Sequence, residues 1–411
     1  MVPLKNYKLV IIGHLKYPSS DAPSNRTHAY AKGLAEIGHN VLVICTGTPF
    51  TFQPDIPVSG TYEGVHYIYP IGQVKNRFLF IRKFKSAISP FVAVYFLKKL
   101  TKSSSGFVLL EFCTSFLQEI IYRIYCWFNQ IPVLREANEI PGYNKKQNSF
   151  SLKVELFLHK KFRTRLWDGV IVISGLLQKF YLQSGNISHS GLKMIKIPVL
   201  VDNTRFENKK NDLQIKGPYI AYVGNMNDVK DGIGDLIKAF KLAFKNLPDH
   251  RLVLAGPVSP GKKQEFMKIA GFPHIRDRIV FTGLIDKKEV VDIISSASIL
   301  ALARRRTRQN DAGFPTKLGE YLATGNPVVV SRTGEIPGFL KDGVHAYLAE
   351  PGNPEDFAGK LSMAAINKKL ARQIGENGRG LAETTFNYKN HSDRLNDFLS
   401  SLLKIPDNQS G

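Results

Sequence analysis

The strongest chemical signal in this sequence is a free helix N-terminus followed, one turn later, by a carboxylate. Residues 313–331 (GFPTKLGEYLATGNPVVVS) are typical of a loop, a short helix, a turn and a buried strand. Pro315 suits the first helical position, where its missing N–H would have no partner. Amides from Gly313 to Thr316 would then bind an anionic group. Glu320 would accept hydrogen bonds from hydroxyls of the same ligand, so the pattern indicates a nucleotide-sugar.

The same stretch would also serve as an ordinary helix–strand unit with well-formed ends. Leu318 and Leu322 lie four residues apart, on the side that would face a sheet, and Glu320 points elsewhere. Gly325 stands where a left-handed helix cap is expected. Val328–Val330 has the continuous apolar character of a buried parallel strand. The local pattern alone leaves these two interpretations level.

Two series of strands, alternating with helices, would position these groups. In the first half we expect strands at residues 8–13, 41–45, 65–69, 107–110, 132–135 and 169–174. In the second half we expect them at residues 219–224, 251–256, 279–283, 299–303 and 328–330. The polar, lysine-rich residues 203–217 form a linker between the series. A chain of 411 residues exceeds one compact core, so the pattern predicts two doubly wound α/β domains.

Other residues would lie at the carboxyl ends of strands, where open α/β sheets bind ligands. Gly13 ends the first strand. Glu136 and Glu139 follow the strand at residues 132–135 and form a carboxylate pair in the same kind of position. Acidic loop residues are also often only solvated. Ser24 is placed to cap a helix that ends at Ile37.

The net charge of +22 requires an anionic partner or surface. Specific nucleic-acid binding is disfavoured because no RNA- or DNA-binding motif accompanies the charge. Basic residues accompany bulky apolar ones at residues 77–102 and 153–165, which favours an anionic membrane surface or a lipid-linked acceptor. In the first of these segments, Ser89-Pro90 would start a helix with Phe91, Val94 and Tyr95 on one face. The alternative is a core helix whose lysines complement its C-terminal dipole.

No signal peptide is evident, and apolar residues 86–97 are too few to span a bilayer. Cys45, Cys113 and Cys126 have neither metal-ligand spacing nor an even number for disulfides, which favours a reducing cytosol. We therefore expect a cytoplasmic protein, peripheral at most at the inner face of the membrane.

The 313–331 stretch resembles the signature of GT-B glycosyltransferases of the large retaining family 4. Gly38-His39-Asn40-Val41 before the second strand is similar to the same family. The resemblance implies an α/β protein of two Rossmann-like domains facing across a cleft. Residues 1–203 would bind the acceptor and residues 204–385 the nucleotide-sugar, and a C-terminal helix within residues 386–411 would return to the first domain.

The family's phosphate-binding arginine and lysine would fall at Asn225 and Lys230, so the lysine is retained and the arginine is missing. The arginine run at residues 304–308 is expected to supply the absent charge. The family's two glutamates, eight positions apart, would fall at Ala312 and Glu320. Asp311 is the expected substitute for the first of them.

By this resemblance, the predicted catalytic residues are Lys230, Glu320 and Asp311. The predicted donor-binding residues are Gly13, Asn225, Lys230, Leu284, Arg305, Gly313, Phe314, Pro315, Thr316 and Glu320. No cofactor and no metal are expected, since the sequence contains no DxD motif. The implied reaction is sugar transfer, with retention, from a nucleotide-sugar to an acceptor hydroxyl in polysaccharide or glycolipid synthesis. The alternatives are a non-catalytic nucleotide-sugar-binding partner subunit and a basic nucleic-acid-binding protein.

Overall fold

The computed structural model describes residues 7–18, 22–46, 56–72, 79–102, 106–112, 114–143, 149–183, 191–207, 215 and 217–403. The chain divides into two compact units, Met1–Pro198 with Tyr388–Gly411, and Val199–Asn387. The sequence placed the divisions a few residues away, after residues 203 and 385. The difference arises because Val201 belongs to the second unit, where its amide donates to the Phe386 carbonyl across 2.8 Å.

The first unit is built on an eight-stranded sheet of order β3-β4-β2-β1-β5-β6-β7-β8. Its strands are β1 (Leu9–Gly13), β2 (Val41–Cys45), β3 (Ser59–Tyr62), β4 (Val65–Ile68), β5 (Val108–Phe112), β6 (Val133–Ala137), β7 (Gly169–Val172) and β8 (Lys193–Lys196). All neighbours are parallel except β3 and β4. The central strands are buried along their whole length, which explains their uninterrupted apolar sequences.

Helices connect these strands. They are α1 (Ala22–Glu36), α2 (Leu79–Thr101), α3 (Phe116–Phe128), α4 (Phe150–Lys161) and α5 (Gly175–Leu182). A short 3-10 helix, Arg163–Leu166, follows α4. The C-terminal helix Lys389–Leu402 packs against α1, and the Tyr388 hydroxyl just before it donates to Glu36 Oε1 across 2.6 Å.

The second unit contains a fully parallel six-stranded sheet of order β11-β10-β9-β12-β13-β14. Its strands are β9 (Tyr219–Val223), β10 (Arg251–Ala255), β11 (Ile279–Gly283), β12 (Ile299–Leu302), β13 (Val328–Ser331) and β14 (Tyr347–Ala349). Its helices are α6 (Asp228–Asp231), α7 (Ile233–Ala243), α8 (Pro260–Ala270), α9 (Pro273–Arg276), α10 (Lys287–Ser296), α11 (Arg308–Ala312), α12 (Thr316–Ala323), α13 (Ile336–Phe339), α14 (Pro354–Ile366) and α15 (Lys368–Leu381). Short 3-10 helices lie at Asn203–Phe206 and Phe244–Asn246, and a π-helical turn at Ala382–Phe386.

Each predicted strand is present, so two α/β units with mainly parallel sheets are confirmed. Two helix starts were predicted wrongly. Ser24 lies buried inside α1 and is not its cap. α2 begins at Leu79 and continues through Pro90, while the Ser89 hydroxyl donates to the Thr46 carbonyl across 2.8 Å.

The sequence left open whether the face of α2 with Phe91, Val94 and Tyr95 packs in the core or lies on the surface. Phe91 and Tyr95 are exposed, and the helix packs instead through Ala93 and Leu97. Phe91 and Tyr95 do lie on one side of the helix, as helical periodicity predicts, and this side faces solvent. The two bulky aromatic side chains are therefore part of the protein surface.

Candidate functional site

The loops that follow β9 and β12 form the centre of the candidate site in the second unit. These strands are hydrogen-bonded neighbours, so their carboxyl ends lie side by side. Lys230 is in α6, where its amide donates to the Asn227 side chain. The Lys230 carbonyl accepts from Asn310 Nδ2 at 2.8 Å and from Arg304 Nε at 3.3 Å. The structure therefore brings Lys230 against the arginine-rich loop after β12.

Helix α12 is fixed to the end of β9 by two side chains. The Val223 amide donates to the Tyr321 hydroxyl across 2.8 Å. Lys317 Nζ lies 2.7 Å from the Tyr222 hydroxyl. Gly224 has a φ of +146°, which residues with a side chain rarely adopt, so the backbone favours glycine beside Lys317. The first turn of the signature helix is thereby placed beside the Asn225 loop.

A compact charge cluster lies beneath this loop, and sequence reasoning missed its central member. Asp231 is buried and accepts a hydrogen bond from the Tyr222 hydroxyl at 2.9 Å. Lys317 Nζ is 3.1 Å from Asp231 Oδ1, and Arg304 Nε is 3.8 Å from the same oxygen. Burial lowers the pKa of Lys317 to about 8, Asp231 opposes this shift, and Arg304 and Lys230 add to it. Cations thus outnumber carboxylates in this cluster, a balance that favours an additional anion.

Glu320, the predicted hydroxyl-binding residue, has a partner within the second unit. Its Oε1 accepts from Arg205 Nη1 across 3.0 Å. Arg205 lies in the 3-10 helix Asn203–Phe206, a segment that the sequence suggested was a linker. The sequence did not predict this contact, because a linker residue such as Arg205 has no expected position in the fold. The pair holds the carboxylate of Glu320 in one orientation.

The arginine run contributes in a different way from that predicted. Arg305 donates to both oxygens of Asp235, at 2.5 and 2.7 Å, so its guanidinium is already engaged on α7. Arg304 is engaged at Lys230 and Asp231, as described above. Arg308, in the first turn of α11, has a buried Nη1 without a hydrogen-bond partner. Among these arginines Arg308 therefore offers a buried donor atom to a ligand, while donation by Arg305 would require exchange of the Asp235 pair.

Helix α11 and the residues after it contain further predicted positions. Asp311 Oδ1 accepts from the Gly334 amide at 3.3 Å, and Ala312 beside it is fully buried. Gly313 is extended and ends α11. The Phe314 ring packs in a cluster with Phe339 and Phe386. Its side chain is therefore part of the core, and only its backbone remains for ligand binding.

The remaining predicted residues differ in their surroundings. Pro315 caps α12 and Thr316 begins it, one position later than predicted. The Asn225 side chain is exposed above the cluster. Leu284 is exposed just after β11, two strands from β9 in the sheet order. Gly13 belongs to the first unit, where a Cβ would meet the Phe112 carbonyl oxygen at 1.7 Å, so close strand packing alone requires this glycine.

In the first unit, the predicted loop carboxylate Glu136 is instead a buried strand residue. β6 extends to Ala137, so Glu136 lies within it. Arg26 Nε donates to Glu136 Oε1 across 2.7 Å and donates from its other nitrogens to the carbonyls of Pro198 and Ile197. Burial raises the pKa of Glu136, and Arg26 opposes that shift. This ion pair is structural, because Arg26 links Glu136 of β6 to the backbone at residues 197 and 198, where the first unit's long N-terminal segment ends.

Glu111 at the end of β5 is also fully buried, and neither of its carboxylate oxygens has a hydrogen-bond partner. Burial raises its pKa to about 8, a shift that Arg135 and Arg163 reduce and Glu119 increases. No group of three His, Cys, Asp or Glu residues among the described positions is arranged to hold a metal ion. No helix in the described part of the whole chain is both long and apolar enough to cross a membrane.

Known proteins resemble this chain in sequence and in structure. Residues 203–381 match the glycosyl transferases group 1 family. The chain is 26% identical over 182 residues to N-acetyl-alpha-D-glucosaminyl L-malate synthase of Bacillus anthracis, covering 42% of this chain and 44% of the relative. It is 25% identical over 190 residues to D-inositol 3-phosphate glycosyltransferase of Corynebacterium kroppenstedtii, covering 45% and 41%. The alignments thus span less than half the length of these relatives.

Solved structures resemble the chain over nearly its whole length. Sucrose-phosphate synthase from Thermosynechococcus elongatus superimposes with a TM-score of 0.72 at 17% identity, covering 97% of this chain and 99% of that one. HepE of Anabaena, solved with UDP and glucose, gives a TM-score of 0.69 at 14% identity, covering 96% and 100%. The chain therefore has the GT-B fold, and its residues 203–381 are similar to the glycosyl transferases group 1 family.

Proposed function

We propose that this protein transfers a sugar from a nucleotide-sugar to an acceptor hydroxyl. The observation that carries the proposal is the approach of Lys317 and Arg304 to the buried carboxylate of Asp231, beside the first turn of α12, with Lys230 close enough to lower the pKa of Lys317. Sugar transfer releases a nucleoside diphosphate, whose developing charge is stabilised by cations and backbone amides. Both kinds of group meet at this edge of the second sheet.

In this proposal Lys230 is the main contact of the diphosphate. Lys317 takes over the charge that the family resemblance expects from an arginine at position 225, and Arg308 adds its buried Nη1 donor. The Phe314 and Thr316 amides bind phosphate oxygens, since Pro315 has no N–H and the Gly313 amide donates to the Gln309 carbonyl across 3.0 Å. Glu320 binds ribose hydroxyls, in an orientation fixed by Arg205.

Three further predicted residues contact the donor in this proposal. Asp311 approaches the transferred sugar in place of a carboxylate at Ala312. Leu284 packs against the base, and Asn225 donates a neutral hydrogen bond to the diphosphate. HepE of Anabaena was solved with UDP-glucose, which supports a uridine donor as the first to be tested here.

We infer retention of anomeric configuration, through attack on the face from which the diphosphate departs. The bond between the anomeric carbon and the diphosphate oxygen breaks while the acceptor oxygen bonds to that carbon. The departing phosphate oxygen takes the proton of the acceptor hydroxyl. Protein cations supply the charge stabilisation in this scheme, which needs no resident metal and no cofactor.

For the acceptor we propose a saccharide or lipid-linked saccharide, used in polysaccharide or glycolipid synthesis at the inner face of the membrane. WaaG, described as a glycosyltransferase involved in lipopolysaccharide biosynthesis, superimposes on this chain with a TM-score of 0.65 at 12% identity, covering 95% of this chain and 99% of WaaG. That similarity concerns the fold alone. It supports the choice of acceptor classes for the first assays.

A non-catalytic nucleotide-sugar-binding subunit is the second candidate, because Ala312 is fully buried and has no group that could reach a sugar. Release of labelled sugar from a panel of nucleotide-sugars separates the two. A transferase moves the labelled sugar to the acceptor and releases the nucleoside diphosphate, and Lys230→Ala reduces the rate while the exposed Lys268→Ala does not. Tight donor binding without any release, with a full acceptor panel, would establish the binding subunit.

A further inference from the structure

Helix α3 in the first unit has its polar and apolar faces reversed relative to an ordinary surface helix. Its buried side chains are Gln118, Glu119, Tyr122 and Cys126. Its exposed large apolar side chains are Phe116, Leu117, Ile124, Trp127 and Phe128. Trp127 is 66% exposed and Phe128 is 73% exposed. A contiguous apolar face of this kind on a protein surface marks an interaction site.

A buried ion network holds the helix in this orientation. Glu119 is completely buried and accepts from Arg163 Nε at 2.6 Å. Its Oε1 also lies 2.8 Å from Arg135 Nη1. Rotation of α3 to bury the apolar face would remove Glu119 from both guanidinium groups and leave two cations unpaired. The outward apolar face is therefore built into the fold of the first unit.

Helix α4 repeats the pattern. Its two buried side chains, Leu152 and His159, lie seven residues apart on one side. The opposite side carries exposed residues at helical spacing, namely Phe150, Val154, Phe157, Leu158 and Lys161. Phe150 is 82% exposed. Two successive helices of the first unit thus present large apolar side chains outward.

Helix α3 is in contact with the segment that follows α4, and basic residues accompany the exposed apolar side chains of α4. Arg163, just after α4, binds Glu119 of α3 and lies 5.8 Å from the centre of the Phe116 ring. Residues 150–166 contain five lysines and arginines and one acidic residue, Glu155. Lys153, Lys161 and Arg165 are exposed. We call the exposed apolar residues of α3 and α4, together with these three cations, the aromatic–basic surface.

We infer that the aromatic–basic surface docks on an anionic phospholipid bilayer. Exposed Trp and Phe side chains enter the boundary between head groups and acyl chains, and adjacent Lys and Arg side chains bind anionic head groups. A protein partner would be expected to meet an apolar centre depleted in charge, whereas exposed cations lie among the exposed aromatic residues of α4 and the segment after it. The net charge of +22 favours an anionic bilayer over a neutral one. This docking goes beyond the proposed sugar transfer and does not depend on it.

The fluorescence of Trp127 provides a direct test. The chain has two tryptophans, and Trp167 is buried, 3% exposed. The full-length protein is mixed with vesicles of phosphatidylcholine and phosphatidylglycerol that contain brominated lipid, which quenches only at short range. We expect quenching in the native protein and none in Trp127→Phe, whose emission comes from Trp167. A native protein that sediments with the vesicles without quenching would overturn the assignment of this surface.

Vesicle sedimentation tests the two parts of the surface separately. Trp127→Ser with Phe128→Ser, and separately Lys153→Glu with Lys161→Glu, should each weaken binding by about tenfold or more. The matched control, Met363→Ser with Ile366→Ser, removes two exposed apolar side chains of α14 in the second unit and should bind normally. Binding to phosphatidylcholine alone should be weak, and salt should reduce binding to the anionic vesicles.

Three results would overturn the inference. The first is unchanged vesicle binding by both surface variants, each shown by its melting temperature to be folded. The second is equal loss of binding by the α14 control. The third is a dimer that the Trp127→Ser/Phe128→Ser variant abolishes, in a protein that does not bind vesicles, which would assign the surface to a second copy of the chain.

Discussion

Arg205 Nη1 donates a hydrogen bond to Oε1 of Glu320 across 3.0 Å. The pair connects the 3-10 helix at the start of the second unit to the signature helix α12. Both side chains are only partly exposed, at 20% and 17%. Glu320 is therefore held in place before any ligand arrives, which lowers the ordering cost of ligand binding.

The first prediction concerns this pair. Arg205→Ala should weaken nucleotide-sugar binding by about three- to tenfold, because Glu320 loses its fixed orientation while keeping its carboxylate. Glu320→Ala should weaken binding more, since the acceptor atoms themselves are removed. Isothermal titration with the best nucleotide-sugar measures both effects. Exposed Glu355→Ala is the control, and a larger effect of Arg205→Ala than of Glu320→Ala would contradict a positioning role for Arg205.

The second prediction concerns the charge state of Lys317. Its pKa is lowered to about 8, and a bound diphosphate would raise it, so binding takes up a proton. Affinity for a nucleoside diphosphate should therefore fall above about pH 8, by up to about tenfold per pH unit if only the charged amine binds. Lys317→Arg should remove this dependence, because guanidinium stays charged. An identical pH profile in Lys317→Arg and the native protein would contradict the role of Lys317.

The third prediction concerns the buried Arg26–Glu136 pair. Arg26→Ala leaves a buried carboxylate without its cation and should lower the free energy of unfolding by about 3–5 kcal/mol. Arg26→Met with Glu136→Gln removes both charges and should cost less than Arg26→Ala alone. Chemical denaturation followed by circular dichroism measures this difference. A double variant less stable than the single one would contradict the assignment of a charge-pair role.

The fourth prediction uses the buried carboxyl of Glu111. Its pKa in the folded protein is raised to about 8 from the ordinary 4.5. The folded state therefore binds the proton more tightly than the unfolded state, and stability should fall as pH rises between these values, by up to ~1.4 kcal/mol per pH unit. Glu111→Gln should flatten the curve of melting temperature against pH over that window. Glu355→Gln should leave the curve unchanged, and a native curve that rises with pH there would contradict the raised pKa.

Much of the fold was predictable from the sequence because buried parallel strands are continuous apolar runs. LVIIG, VLVIC and VVVS read as strands without further information. Among the strands that were missed, β8 (KMIK) has only two apolar residues, flanked by lysines, and lies at the edge of its sheet. Glu136 was predicted to lie in a loop because a glutamate in a buried strand is unexpected until its partner Arg26, 110 positions earlier, is known.

The candidate site was predictable to the extent that it follows from strand order. Lys230 and the arginine loop meet because β9 and β12 are neighbours, and the signature block follows that loop directly. The partners of the side chains were not predictable. Lys317 sits within the signature helix, and its sequence does not show that Nζ reaches Tyr222, 95 positions away. Arg305 was predicted to bind phosphate because of its charge. The sequence does not show that Asp235 of α7 lies close enough to bind the same guanidinium.

The donor site can be tested by the thermal stability of the protein against a panel of nucleoside diphosphates and nucleotide-sugars. The measurement is made on the native protein, Lys230→Ala, Glu320→Ala and the control Lys268→Ala. We expect one base class to raise the melting temperature of the native protein and of the control, and both site variants to lose the effect. A folded native protein that no ligand stabilises, or site variants stabilised as strongly as the native protein, would contradict the donor site proposed here.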